Sequence, residues 1–174
     1  LLSGKRVLIT AGPTFEAIDT VRGITNPSSG KMGYATARAA LEAGAEVTLV
    51  SGSVSLAAPS RAKFISVTSA QEMFAAVRQA AGNADIFIGV AAVADYHVVN
   101  PSKQKIKKSG QNLNLQLAPN PALIQIMLGQ ALLASNNKAV ADEAVALLET
   151  AIRREPESPE AFDQMALAYG RKGD

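Results

Sequence analysis

The sequence predicts an α/β protein: a Rossmann-like, doubly wound parallel sheet, truncated, carrying a β-hairpin and followed by an α-helical tail. Three observations carry this. Short apolar runs alternate with helix-patterned segments through the first 124 residues, in a βαββαβ-like order. Two long loops, 11–30 and 91–110, leave the carboxyl ends of the first and fourth predicted strands, where ligands bind in open parallel sheets. Beyond residue 124 the strand, Pro and Gly punctuation gives way to nearly continuous helix pattern.

The elements follow in order. Arg6-Val7-Leu8-Ile9-Thr10 is the first strand, and it runs into Ala11-Gly12-Pro13-Thr14. Residues 33–43 form a helix ending at Gly44, with Ala35, Ala39, Ala40 and Ala43 as a small-residue face able to lie close on a sheet. Residues 46–51 are the second strand. Residues 63–67 are the third, reached through a loop with Gly52 and Pro59. Ser69 opens the next helix with capping-box spacing to Glu72, and Met73, Phe74 and Val77 are its apolar positions. Residues 85–92 are apolar after Asp85, as suits a central parallel strand covered on both faces; strands one and four are expected to be central and adjacent. Residues 103–108 and 113–117 read as two arms of a hairpin turning at Ser109-Gly110-Gln111-Asn112.

Composition narrows the function classes. A chain of 174 residues suits one domain, or one and part of another. With no cysteine and one histidine, disulfides, thiol chemistry and an ordinary zinc site are excluded. No apolar run reaches the ~18 residues of a membrane span, and Leu-Leu-Ser-Gly-Lys-Arg lacks a signal-peptide core, so a cytoplasmic protein is expected. The net charge of +2 conceals an asymmetry: residues 1–124 hold 12 Lys/Arg against 7 Asp/Glu, and 125–174 hold 5 against 8. This shift, with the change in pattern, sets the expected boundary between units 1–124 and 125–174. The modest basic excess lacks interleaved aromatics, which argues against nucleic acid.

The chemistry is concentrated in the two loops. An ordinary strand-to-helix turn takes about 2–6 residues; the first loop takes far more and ends in Ile24-Thr25-Asn26-Pro27-Ser28-Ser29-Gly30-Lys31-Met32-Gly33. Gly30 and Gly33 admit close approach of a ligand, and free amides at a helix start attract anions. The second loop adds cations at Lys103, Lys105, Lys107 and Lys108. On a strand, Lys103, Lys105 and Lys107 would share one face, either binding a polyphosphate or guarding a sheet edge. Set beside the first loop, they favour phosphate binding. His97 carries no partner motif and reads as a solvated loop residue.

At residues 6–14, 21–33, 47–52, Val54-Ser55-Leu56, 68–73, 86–96 and 105–110 the chain resembles the phosphopantothenoylcysteine synthetase domain of bacterial coenzyme A biosynthesis, a domain often fused behind a flavin-dependent decarboxylase. The resemblance covers residues 2–123. It implies a ligase that joins 4′-phosphopantothenate to cysteine, with CTP and Mg²⁺, through an acyl-cytidylate from which cysteine displaces CMP. Asn26 then corresponds to the residue holding that intermediate, and Lys105 to the functional lysine. Lys107 and Lys108 share its motif. Gly12, Ala91, Ala92 and Asp95 correspond to nucleotide-side turns. Ser29, Gly30, Lys31, Met32 and Gly33 form the substrate loop, and Arg22 meets the substrate phosphate or a dimer partner. No metal ligand is assigned and no tightly bound cofactor is implied; a homodimer is. The family usually carries His where this chain has Pro27, which alters the loop next to Asn26.

After Leu117-Ala118-Pro119-Asn120-Pro121 the family continues into an apolar strand and a Gly-Phe-Ala-Ala-Glu-Thr-like loop that this chain lacks. Ala144, Leu148, Ala151 and Pro156, then Ala161, Phe162, Met165, Ala166 and Tyr169, instead resemble tetratricopeptide repeats, about one and a half of them. A plain helical hairpin with a third amphipathic helix is the other reading of this segment. Two functions stay open: a ligase impaired by truncation, or a non-catalytic nucleotide-binding remnant whose helical tail binds a protein.

Overall fold

In the computed structural model the described residues are 1–120 and Glu149. The segment for which tetratricopeptide repeats are expected lies outside them, Glu149 apart. Ten elements follow one another: β1 (Arg6–Ala11), β2 (Phe15–Ala17), β3 (Gly23–Thr25), α1 (Lys31–Glu42), β4 (Glu46–Ser51), β5 (Lys63–Ser66), α2 (Ala70–Ala81), β6 (Ile86–Gly89), β7 (Tyr96–Val98) and β8 (Leu117–Pro119). Four of them form a parallel sheet in the order β5-β4-β1-β6. Along β1, Val7 lies opposite both Val47 and Ile86, and Thr10 opposite Val50 and Gly89.

The two-residue period of β1 divides the core between the two faces. Val7, Ile9 and Ala11 pack with Tyr34, Ala37, Ala40 and Leu41 of α1 and with Val47 and Leu49. Leu8 and Val50 pack on the other face with Val67, Met73 and Val77. One helix on each face makes the sheet doubly wound, as the alternating pattern predicts. On α1 the inward face is Gly33, Tyr34, Ala37, Ala40 and Leu41; Ala35 and Ala39, expected there, are exposed. Gly33 lets α1 approach: a Cβ on it would lie 2.5 Å from the Cβ of Ala11. The Ser69 cap forms as expected, its side chain accepting from the Glu72 amide at 3.1 Å. The Glu72 carboxylate reaches back to the Thr68 amide at 2.7 Å.

Four expectations change. The first long loop is not irregular throughout, because β2 and β3 pair within it as an antiparallel hairpin. Strands β1 and β6 are adjacent, but among the described residues β6 has no second neighbour, and Ile86, Phe87 and Ile88 are only half-buried. The hairpin expected over 103–117 does not form. Instead β7 pairs with β8, Tyr96 opposite Pro119 and Val98 opposite Leu117, and they bracket an extended excursion. Its amides find acceptors elsewhere: Ser102 donates to the Ile18 carbonyl at 2.9 Å and Ile106 to the Asp19 carboxylate at 3.0 Å. A distant acceptor outcompetes local pairing here, and alternation along the chain carries no sign of it. His97, expected in a solvated loop, lies half-buried on β7 with Nδ1 unpartnered.

Candidate functional site

The carboxyl ends of β1 and β6 continue side by side beyond the sheet. Ala92 donates its amide to the Gly12 carbonyl at 2.8 Å, and Thr14 donates to the Ala92 carbonyl at 3.2 Å. Two threonines close this seam. Thr10 Oγ1 accepts from the amides of Val90 (3.2 Å) and Ala91 (3.4 Å), and the fully buried Thr14 Oγ1 accepts from Ala94 at 2.9 Å. Gly12, Ala91 and Ala92, chosen from different parts of the sequence, are thus brought together. Gly12 has φ +70°, and a Cβ there would lie 2.9 Å from Val54 Cγ1.

Asn26 joins the same cluster. It follows β3 and donates Nδ2 to the carbonyls of Ala92 (3.2 Å) and Val93 (3.1 Å). Two carbonyl acceptors settle which end of the amide is nitrogen. Its Oδ1 accepts no hydrogen bond among the described residues, so the side chain offers an acceptor at a fixed place. Asn120 fastens the next turn from the other side: its amide donates to Asp95 O at 2.7 Å, and its Nδ2 to Ala94 O at 2.8 Å. Asp95 itself is exposed.

The second part of the candidate site is the start of α1. Gly30 takes φ +71°, a conformation costly for residues with a Cβ, and α1 has no side-chain cap bond at its N-terminus. Ser28 and Ser29 lie just before it, with only long contacts from their hydroxyls to the Gly30 and Lys31 amides at 3.4 and 3.5 Å. Lys31 and Met32 are exposed, and Gly33 is buried against β1. Of this group, then, Ser29, Lys31 and Met32 face solvent, while Gly30 and Gly33 shape the backbone.

Lys105, Lys107 and Lys108 are exposed on the excursion between β7 and β8. Their backbone is tied through Ile106 to the β2–β3 turn. Arg22 is not a free cation there: its guanidinium donates to the Asp19 carboxylate and, from Nη2, to the Ile106 carbonyl at 2.9 Å. Its side chain still keeps 47% of its exposure, so one edge faces solvent. Asp19 was not singled out by sequence reasoning, nor were Thr10, Thr14 and Asn120. For Asp19 a signal existed, since Asp followed by x-x-Arg in a turn is Asx-turn material. Its Oδ1 accepts from the Val21 and Arg22 amides, both at 2.8 Å. The Arg22 guanidinium holds the Asp19 carboxyl well below the usual carboxylate range, against the opposing effect of burial and with help from the Ile106, Val21 and Arg22 amides.

Among the described residues no group of three or more His, Asp or Glu is placed to hold a metal ion. No described helix is long and apolar enough to cross a membrane. A cavity of about 340 Å³ opens at the opposite, amino ends of the strands beside Arg6, Glu46, Arg61 and Lys63, away from these loops.

Known proteins resemble this chain over most of its length. The coenzyme A biosynthesis bifunctional protein CoaBC of Haemophilus influenzae is 54% identical over 123 residues, 71% of this chain and 31% of that protein. The Bacillus subtilis protein of the same name is 51% identical over 117 residues, 67% of this chain and 29% of its own length. The chain thus spans about a third of the length of the curated relatives it matches. A crystal structure of the C-terminal domain of a CoaBC protein superposes with TM-score 0.63 at 46% identity, covering 74% of this chain and 60% of that one. At 20% identity, a Cab2 variant in complex with phosphopantothenate-cysteine shares the fold, with TM-score 0.62. Residues 2–148 match the DNA/pantothenate metabolism flavoprotein C-terminal domain, and the chain belongs to that family.

Proposed function

We propose that this chain carries the nucleotide-side half of a phosphopantothenate–cysteine ligase site, using CTP as co-substrate with the Mg²⁺ that accompanies a triphosphate. The observation that carries the reading is the convergence of Gly12, Asn26 and Ala92 at the carboxyl ends of adjacent parallel strands. Relatives named for coenzyme A biosynthesis, and a family match over residues 2–148, support it.

The chemistry has two steps. The carboxylate of 4′-phosphopantothenate attacks the α-phosphorus of CTP, pyrophosphate leaves, and an acyl-cytidylate forms. The cysteine amine then attacks the acyl carbon, CMP leaves, and the amine loses a proton. The first step gathers negative charge that cations must offset in the transition state. Lys105, Lys107 and Lys108 serve that need, with the first-turn amides of α1 as the anion site for the substrate. Gly12, Ala91, Ala92 and Asp95 line the nucleotide side. Because Asn26 spends its Nδ2 on two carbonyls, its Oδ1 is the end left for chemistry. It accepts from the incoming amine and orients the lone pair toward the acyl carbon. Homodimerisation and a cytoplasmic location belong to the same reading.

The test is a coupled assay of CTP turnover with 4′-phosphopantothenate and cysteine, beside calorimetric titration of the chain with Mg·CTP and Mg·ATP. Product that depends on all three substrates supports the ligase. Absence of triphosphate binding overturns the reading. A second reading has its own observation, that the chain covers only 60% of the solved CoaBC domain. In that reading the protein binds nucleotide without turnover and the segment after residue 124 engages a protein; binding without product favours it.

A further inference from the structure

The β2–β3 turn holds a fully buried carboxylate that the two-step chemistry does not use. Asp19 Oδ1 takes the amides of Val21 and Arg22, and Oδ2 takes the Arg22 guanidinium and the Ile106 amide at 3.0 Å. Arg22 completes a ring by donating to the Ile106 carbonyl at 2.9 Å. Both backbone groups of Ile106 are therefore fixed by two charged side chains 84 and more positions earlier in the chain. Ser102 is fixed to Ile18 of the same turn at 2.9 Å. Ile106 lies between Lys105 and Lys107, and among the described residues 103–108 it alone is withdrawn from full exposure.

We infer that Asp19, with Arg22, is a positioning residue: it locks the backbone of Ile106 and so sets Lys105 and Lys107 over the phosphates. The inference rests on the nucleotide reading above. A flexible stretch bearing several lysines attracts a polyphosphate with little geometric preference. Locking the residue between two of them fixes their directions before the ligand arrives and removes ordering entropy from binding. Charge-assisted hydrogen bonds suit this role, being the stronger class and the more directional. The same ring engages Nε and Nη2 of Arg22 and leaves the other edge of the guanidinium toward solvent. The β2–β3 hairpin also ends at Asn26, so one hairpin places the lysine segment and the acceptor amide together.

Two measurements on the full chain test this, with Asp19→Asn and Arg22→Lys as variants. Asn keeps an acceptor oxygen for the turn but loses the charge; Lys keeps a charge but cannot hold Asp19 and the Ile106 carbonyl at once. Hydrogen exchange followed by mass spectrometry should rise by roughly tenfold or more over 103–108 in each variant, with the β1 amides unchanged. Titration with Mg·CTP should show affinity lost by roughly tenfold, in line with a charged hydrogen bond. In a double-mutant cycle, adding Asp19→Asn to Lys105→Ala should cost clearly less than Asp19→Asn costs alone, whereas adding it to Lys63→Ala should cost the same. Unchanged exchange over 103–108 overturns the lock. Faster exchange with unchanged affinity, or full additivity with Lys105→Ala, overturns its role in positioning the lysines. If the wild type binds no triphosphate, the nucleotide reading fails and the positioning role falls with it, whereas faster exchange in the variants would still show the lock as a feature of the fold.

Discussion

Single side chains in this protein earn their places by hydrogen bonds that cross long stretches of sequence. Glu16 is 4% exposed, and its Oε1 accepts from the Ala70 amide at 2.9 Å, at the first turn of α2. Glu16→Ala leaves that buried donor unpaired and should cost about 1–3 kcal/mol in chemical denaturation. Lys105→Ala should leave the denaturation midpoint in place, because the side chain is exposed. It should weaken Mg·CTP binding by roughly tenfold or more, as one charged contact to phosphate is lost; calorimetry reads it. Glycines, lysines and Asn26 were legible as candidate site residues because their chemistry is local to the residue. Thr10, Thr14 and Asp19 were not, since a buried threonine or aspartate gains its meaning from an amide 80 or more positions away.

At the scale of elements, the contact of α1 with β1 is set by Gly33. Gly33→Leu drives a side chain into Ala11, 2.5 Å from the new Cβ, and should destabilise by about 1–3 kcal/mol through overpacking, seen as a lower denaturation midpoint. The edge between β1 and β6 carries an ion pair. Arg6 donates from its amide to Asp85 Oδ2 at 2.8 Å and from its guanidinium to both carboxylate oxygens at 3.2 and 3.3 Å. These bonds, the side-chain one above all, hold the Asp85 carboxyl down at about 2. An unfolded Asp titrates near about 3.9, so the folded form binds its proton less readily. The stability it contributes is present above pH about 4 and is lost as pH falls through about 2. Wild type and Asp85→Asn should therefore differ in stability at pH 6 and converge at pH 2, in denaturation series at both values. The strands and both helices were legible from periodicity and caps. The hairpin expected over 103–117 was not, because two competing acceptors, Ile18 O and the Asp19 carboxylate, lie in another loop.

For the molecule as a whole, the candidate site lies at the carboxyl ends of β1 and β6, on the edge strand of the sheet that the described residues form. The chain covers 60% of the solved CoaBC domain, and among the described residues β6 pairs on one side only. Catalysis by electrostatic stabilisation depends on donors held in place beforehand, and loss of one typically costs about 10²–10³ in rate. Ligase turnover by this chain should fall below that of a complete CoaBC domain by at least about 10²-fold, measured as CMP release under identical conditions. Comparable turnover would overturn this expectation.

The sequence by itself determined the parallel α/β sheet with a helix on each face, and the two long loops at the carboxyl ends of β1 and β6. These follow from apolar period, caps and glycine positions, all read within a few neighbouring residues. Only the tertiary structure decided what those loops do to one another. It turned Asn26 so that Oδ1 is its free end, made Arg22 a strut with Asp19, and hung the lysine segment on the β2–β3 turn. The reason is physical: a polar group on a loop takes whichever partner the fold brings within hydrogen-bond reach, and here those partners are 66 to 87 positions away.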